Sequence, residues 1–144
     1  MIYTKQTVKA MNLAYKVHHG QFDKGGVPYI FHPIHVAENM CTETHTIVAM
    51  LHDVMEDGNI QREDLINDGY SRIEIRAIEA LTRREDETYD EYIKRIKLNP
   101  IARNVKIEDL KHNMDRTRLC DEESKYTDRR MKKYRAALDY LMDN

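Results

Sequence analysis

Four side chains that can bind a metal ion or transfer a proton lie within residues 52–57. His52 is followed by the carboxylates Asp53, Glu56 and Asp57, and the segment comes directly after the apolar run 47–51. Such a run predicts a core helix, and an imidazole with three carboxylates at its end is costly to desolvate unless another group compensates them. A metal ion would compensate the charge, so the segment predicts a metal site.

We expect one helix over about residues 46–56 to carry this segment. At 3.6 residues per turn, His52 and Glu56 would share one helix face, with Asp53 and Asp57 on the face about 100° away. His52 and Asp53 could then bind one ion, while Glu56 and Asp57 hold or deprotonate a water molecule. For the last two, a solvated acidic turn is the alternative. The second histidine of a His-Glu-x-x-His zinc site is missing, so further ligands must come from elsewhere.

Two other segments contain candidate ligands. A proline after His32 would hold that residue in a rigid turn, but spacing alone does not separate it from His35, and a cap or surface position is the alternative for either. Asp109 lies next to an apolar helical stripe, so it could be a ligand or could form a partly buried ion pair with Lys106 or Arg103. Two histidines with two aspartates and water suit six-coordinate Mn²⁺, Fe²⁺ or Mg²⁺ better than structural zinc.

The composition limits the class of protein. A chain of 144 residues predicts one domain over residues 1–144, and a net charge of −2 with 33% charged residues lacks the basic surplus of nucleic-acid binding proteins. Two cysteines without Cys-x-x-Cys spacing, and the lack of a signal peptide or an 18-residue apolar run, predict a cytoplasmic protein without membrane contact. The oligomeric state stays open.

The periodicity predicts an all-α fold, an irregular bundle of about seven to eight helices. No segment alternates with period two for long enough to indicate a sheet. In the first helix, we expect Val8, Met11, Ala14 and Val17 to face the core. Residues 21–29 should be a loop, and the charged stretch 82–87 a flexible loop. The helices are expected at about residues 4–18, 34–41, 46–56, 61–68, 71–81, 88–97, 101–113 and 127–142.

Four stretches, in this order, resemble the HD-domain metal-dependent phosphohydrolases, and most closely the hydrolase domain of the RelA/SpoT homologues and the small alarmone hydrolases. They are His19-Gly20-Gln21 with Lys24, then PYIFHPIHVA (28–37), LHDVMED (51–57) and VKIEDLKHNM (105–114). A bare His-Asp pair is a weak signal, whereas the four together span nearly the whole chain and are specific.

The resemblance implies a ligand set for a divalent metal, usually manganese, consisting of His32, His52, Asp53 and Asp109. It also implies that an acidic pair handles the attacking water, and that three further residues contact a small-molecule nucleotide. The acidic pair is Glu56 and Asp57; the nucleotide contacts are Lys24 near the nucleotide, Asn113 at the sugar and, by a looser match, Tyr134.

The activity implied is release of pyrophosphate from the 3′ position of a purine nucleotide alarmone, with no synthetase domain following. One departure concerns the substrate: family members that hydrolyse guanosine tetraphosphate usually carry an arginine that stacks on the guanine, and Asp23 stands at that position. The stretch 82–85 and Arg116 or Arg118 could supply phosphate contacts instead. The alternatives are an HD-type enzyme for another nucleotide and a nucleotide-binding regulatory module without turnover.

Overall fold

The computed structural model describes residues 1–118 and 125–144, with side chains from residue 128 in the second range. Within these ranges there are eight α-helices of at least six residues, one four-residue helical turn, and no strand beyond an isolated bridge between Phe22 and Pro28. The all-α prediction is confirmed. The helices are α1 (Lys5–His18), α2 (Phe31–Glu38), α3 (Glu43–Leu51), α4 (Val54–Asp57, the short turn), α5 (Arg62–Asn67), α6 (Arg72–Ala80), α7 (Tyr89–Lys97), α8 (Pro100–Asn113) and α9 (Lys125–Met142), with a 3₁₀ turn at Arg116–Arg118 before α9.

Helix α3 lies at the centre of the bundle. Every residue from Thr46 to Leu51 is buried, as expected for a helix that is apolar on all sides. It packs against α1, α2, α6 and α8. The residues that directly follow Leu51 therefore start from the middle of the core rather than from the surface.

Local capping signals fix several helix ends as predicted. Ser71 with Glu74 and Thr88 with Glu91 form capping boxes at the starts of α6 and α7. The side chain of Asn99 accepts hydrogen bonds from the first N–H groups of α8, whose first residue is a proline. These ends depend on neighbouring residues alone, which is why the sequence predicts them.

The prediction of one helix over residues 46–56 is wrong. Helix α3 ends at Leu51, and His52 and Asp53 form a turn before α4. The carbonyl of Ala49, which would accept from the Asp53 N–H in a continuous helix, instead lies 2.7 Å from Nδ1 of His52. A side chain that bonds to a carbonyl of the preceding turn competes with the backbone hydrogen bonds of the helix. The predicted helix faces, one with His52 and Glu56 and one with Asp53 and Asp57, therefore do not form.

The start of α2 and the buried face of α1 also differ from expectation. Helix α2 begins at Phe31 rather than at residue 34, so His32 lies inside its first turn. In α1, the buried positions are Thr7, Ala10, Ala14 and His18, while Val8 is exposed. Small residues on that face let α1 approach α3 closely, which places His18 in the interior.

No helix in the described part of the chain is long and apolar enough to span a membrane. Cys41 is a free, exposed thiol. Cys120 lies outside the described residues.

Candidate metal centre and substrate cavity

Three of the four predicted metal ligands meet in the core. His32 on α2, His52 after α3 and Asp109 on α8 are 3%, 2% and 3% exposed. One ligand atom from each lies within 4.8 Å of the other two. Nε2 of His32 is 2.8 Å and Nε2 of His52 is 3.6 Å from Oδ1 of Asp109. Side chains from three separate helical segments thus converge on one point.

Asp53, the fourth predicted ligand, lies in the turn after α3. Its Oδ2 atom lies 3.0 Å from Nε2 of His52. Burial opposes the charged form of the carboxylate, but His52 holds the pKa of Asp53 below its usual range. Asp53 therefore lies beside the trio as a neighbour of His52, outside the group whose ligand atoms all lie within 4.8 Å of one another.

The protonation of His52 shows that this donor set fits a divalent cation. Because Nδ1 bonds to the carbonyl of Ala49, it carries a hydrogen, and Nε2 is the nitrogen left to take a proton or a metal ion. Nε2 is fully buried without a hydrogen-bond partner of acceptable geometry, although oxygens of Asp53 and Asp109 lie within 3.6 Å. Burial lowers the pKa of His52, but the two carboxylates raise it well above its ordinary value. The pocket is therefore built to hold positive charge at this point, either a proton or a metal ion.

A second histidine orients His32. Its Nδ1 atom lies 2.7 Å from Nδ1 of His112, so one of the two nitrogens must carry a hydrogen. Burial, together with Arg118, lowers the pKa of His112 to about 4, so His112 is neutral and can accept. Donation from Nδ1 of His32 to His112 would leave Nε2 of His32 available to a metal ion. His35 is exposed and stacks on His112 at a ring distance of 3.9 Å, and it is not part of the cluster that contains His32.

Asp109 lies in the cluster and also forms the ion pair with Lys106 considered for it. Oδ1 faces His32 and accepts from Nδ2 of Asn113 at 2.9 Å, whereas Oδ2 lies 2.7 Å from Nζ of Lys106. Burial would raise the pKa of Asp109, but Lys106 and the histidines hold it well below the usual range. The ion pair with Lys106 therefore keeps a buried ligand ionised.

A group of residues next to Asp53 was not predicted from the sequence. The hydroxyl of Tyr29 donates to Oδ2 of Asp53, and the Tyr29 ring packs against His18 at 4.9 Å. Gln21 donates from Nε2 to the carbonyls of Val17 and Asp57, so its Oε1 faces Nδ1 of His18 at 2.9 Å. His18 follows Ala14 by four residues, as Ala14 follows Ala10, and this helical spacing was the signal available in the sequence.

Glu56 and Asp57 lie on α4, open to solvent beside the cluster. The backbone N–H of Arg83 donates to Oε1 of Glu56 at 2.6 Å, which fixes the orientation of this carboxylate. Partial desolvation, together with Asp53 and Glu56, raises the pKa of Asp57 to about 6. Partial desolvation also raises the pKa of Glu56. Both groups are therefore better proton acceptors than ordinary surface carboxylates.

A cavity of about 340 Å³ opens beside the cluster. All three residues predicted to contact substrate line it: Lys24 from the loop after α1, Asn113 at the end of α8, and Tyr134 on α9. Asn113 belongs to both sites, since it also donates to Asp109. Arg118 and Arg130 add positive charge to the wall.

Asp23 also lines this cavity, but its carboxylate already accepts hydrogen bonds and forms an ion pair. Oδ1 accepts from the N–H groups of Gly25 and Val27, both at 2.9 Å, and Oδ2 lies 3.3 Å from Nη2 of Arg118. A side chain at Gly25 would collide with the carbonyl of Arg118, so the loop docks closely on the 3₁₀ turn. The negative charge at position 23 is therefore neutralised, and a guanidinium reaches the same cavity from another part of the chain.

The chain has the fold of a SpoT-related hydrolase. A metazoan protein described as an orthologue of SpoT that hydrolyses ppGpp and plays a role in starvation responses superposes with a TM-score of 0.77, at 18% identity, over 99% of this chain and 88% of its own. No family model matches the chain.

Curated relatives match over shorter segments. Guanosine-3′,5′-bis(diphosphate) 3′-pyrophosphohydrolases are 38% identical over 68 residues in Borreliella burgdorferi and 39% identical over 70 residues in Vibrio cholerae, covering 44% and 43% of this chain. A GTP pyrophosphokinase of Myxococcus xanthus is 39% identical over 61 residues, or 40% of this chain. The matched segments amount to 10%, 10% and 8% of these relatives, which are far longer proteins.

Proposed function

We propose that this protein is a metal-dependent phosphohydrolase that releases pyrophosphate from the 3′ position of a guanosine alarmone such as guanosine tetraphosphate. The observation that carries the proposal is the junction formed by Asn113, which lines the cavity and bonds to Asp109 of the cluster. A nucleotide whose sugar lies at Asn113 has its 3′ substituent beside the cluster. The relatives named as 3′-pyrophosphohydrolases support this bond as the one that is cleaved.

His32, His52, Asp53 and Asp109 would hold the ion, and Mn²⁺ suits this mixed nitrogen and oxygen set. When bound, the ion supplies Lewis-acid activation of a phosphate oxygen and of water. The two acidic residues on α4 have separate roles in the proposal. Glu56, fixed by the Arg83 N–H, orients the attacking water, and Asp57 accepts its proton. Lys24 and Arg118 offset the charge of the phosphates during attack.

Asp23 favours a second candidate, an HD-type hydrolase acting on another nucleotide, because the family's guanine-stacking arginine is absent. The pairing of Asp23 with Arg118 weakens that alternative, since it leaves a planar cation in the cavity. We therefore retain the guanosine alarmone as the first substrate to test. A regulatory module without turnover has no use for an oriented Glu56 beside the cluster.

The test incubates the Mn²⁺-loaded protein with guanosine tetraphosphate and follows pyrophosphate release. Glu56→Gln is the matched control, because it keeps the side-chain shape and the acceptor for Arg83 while removing the carboxylate. We expect release by the parent protein and a loss of about 10²-fold or more in the variant, with unchanged metal content. Hydrolysis of other nucleotides alone would favour the second candidate, and tight nucleotide binding without hydrolysis of any would favour the regulatory module.

A further inference from the structure

A second cavity, of about 410 Å³, lies near Glu56, since Met55 and Arg83 are part of its wall. It is bounded by α4, α6, α7 and the irregular stretch between α6 and α7. Four arginines and one acidic residue contribute to its wall. The lining residues are Met55, Arg76, Glu79, Ala80, Thr82, Arg83, Arg84 and Arg95.

Part of the positive charge of this cavity is compensated, and Nε of Arg83 also donates to the carbonyl of Glu87 at 3.2 Å. Arg95 pairs with Glu87, and Glu79 pairs with Arg62. The other three arginines, Arg76, Arg83 and Arg84, form no ion pair with any residue whose side chain the structure describes. Three guanidinium groups around one concave surface repel each other and attract anions, and the planar fork of each matches a phosphate group.

Hydrogen bonds with Arg95 and Glu87 hold the backbone that carries Arg83 and Arg84. Nε of Arg95 binds Glu87 at 2.8 Å, and its Nη atoms reach the carbonyls of Ala80 and Thr82 at 3.2 and 3.0 Å. The same Glu87 carboxylate accepts from the Arg84 N–H at 3.2 Å. The charged stretch 82–87 is irregular, as predicted. Arg95 bonds to it at both ends, at the carbonyl of Thr82 and the carboxylate of Glu87. An anion would therefore bind to a preorganised surface, which lowers the entropy loss on binding.

This cavity is connected to the candidate catalytic residues by one hydrogen bond. The N–H of Arg83 donates to Glu56, while the side chain of Arg83 lines the cavity. Met55, the residue before Glu56, forms part of the same wall. An anion bound at the arginines would therefore lie next to the backbone N–H that orients Glu56.

We propose that the arginine cavity binds a diphosphate anion. Such an anion has two sources, pyrophosphate released by hydrolysis and the diphosphate group of a free nucleotide that acts as an effector. We favour pyrophosphate, because the cavity adjoins Glu56 and has no aromatic side chain in its wall on which a base could stack. The choice of released pyrophosphate as the ligand rests on the proposed function. Binding of a diphosphate anion does not depend on it.

The experiment titrates the full-length, metal-free protein with sodium pyrophosphate in a calorimeter, without any turnover. The test variant is Arg76→Gln/Arg84→Gln, which leaves the Arg83 N–H and the Arg95 anchor intact. The control is Arg72→Gln/Arg135→Gln, which removes the same charge at two exposed positions outside the cavity. We expect the test variant to bind pyrophosphate about 10- to 100-fold more weakly, from the loss of charge-assisted hydrogen bonds, with the control within about twofold of the parent.

Equal affinity of the test variant and the parent would overturn the proposal. Weaker binding only in a Lys24→Gln variant would also overturn it, by placing the anion in the substrate cavity. Titration with GDP separates the sources: tighter binding of GDP than pyrophosphate, lost in the same variant, would assign the cavity to a nucleotide and overturn the product as its ligand. If the protein binds pyrophosphate through Arg76 and Arg84 but hydrolyses no alarmone, the site stands and the proposed function fails.

Discussion

The hydroxyl of Tyr29 donates a hydrogen bond to the carboxylate of Asp53, so a tyrosine from the loop after α1 orients a candidate metal ligand at the end of α3. The Tyr29 ring lies between the rings of His18 and His32, at 4.9 and 5.6 Å. Because the ring is held on both sides, the position of its hydroxyl is fixed by packing. Tyr29 is therefore a positioning residue for the candidate metal centre.

Replacing Tyr29 by phenylalanine should weaken metal binding. The ring and its packing remain, but Asp53 loses the donor that fixes its orientation, and loss of such a partner costs about 10- to 100-fold in metal affinity. Direct titration of Mn²⁺, followed by electron paramagnetic resonance, measures this. Tyr92→Phe is the control, since the Tyr92 hydroxyl donates at 2.7 Å to the carbonyl of Leu81. Equal Mn²⁺ affinity of Tyr29→Phe and the parent would refute the positioning role.

Removal of the Asp109 carboxylate should abolish metal binding and should also lower the free energy of unfolding of the metal-free protein. Asp109→Ala deletes a ligand and leaves Lys106, whose side chain is 12% exposed, without its partner. We expect loss of stoichiometric Mn²⁺ and a decrease of about 3–5 kcal/mol in the free energy of unfolding of the metal-free protein. Urea denaturation in the presence of a chelator measures the second effect.

The double variant Asp109→Ala/Lys106→Met separates the two effects. It should recover part of the stability, because no buried charge is left unpaired, without recovering the metal. Full metal occupancy in Asp109→Ala would remove Asp109 from the ligand set.

Placing the family's arginine at position 23 should impair the protein rather than improve it. Asp23→Arg leaves the N–H groups of Gly25 and Val27 without their acceptor and places a cation beside Arg118. We expect nucleotide affinity to fall by about tenfold or more, because the loop that carries Lys24 loses its anchors. Titration with a fluorescent guanosine nucleotide measures this.

Asp23→Asn is the matched control for that experiment. It keeps an acceptor oxygen for Gly25 and Val27 and removes only the charge that faces Arg118. Its nucleotide affinity should therefore stay closer to that of the parent. Tighter binding by Asp23→Arg would show that Arg118 does not substitute for the missing arginine.

The pairing of Glu87 with Arg95 should make stability depend on pH. The hydrogen bonds from Arg95 lower the pKa of Glu87 to about 2, below its value of about 4.3 in an unfolded chain. A depressed pKa stabilises the folded state above the unfolded pKa, and this contribution is lost as pH falls from about 4.3 towards 2. Urea unfolding of the parent and Glu87→Gln should give different free energies at neutral pH and converge in that acidic range. A difference that is independent of pH would contradict the assignment.

The helices were predictable where their signals are local. Ser71 with Glu74, Thr88 with Glu91, and Asn99 before a proline each satisfy the first N–H groups of their own helix, so no distant contact is needed. The break after Leu51 was not predictable, because it depends on the side chain of His52 turning back to Ala49. Periodicity contains no information on that competition.

The candidate site also has features that could be predicted from the sequence and features that could not. The sequence by itself determined the donor types, since a His-Asp pair after a buried apolar helix needs compensating charge. It also offered His32 or His35, and Asp109 beside an apolar stripe, as further ligands. Only the tertiary structure decided between His32 and His35, and it alone brought Tyr29 to Asp53 and paired Arg118 with Asp23. These choices depend on contacts between segments far apart in the chain, and such contacts follow from how the helices pack, which residue spacing does not encode.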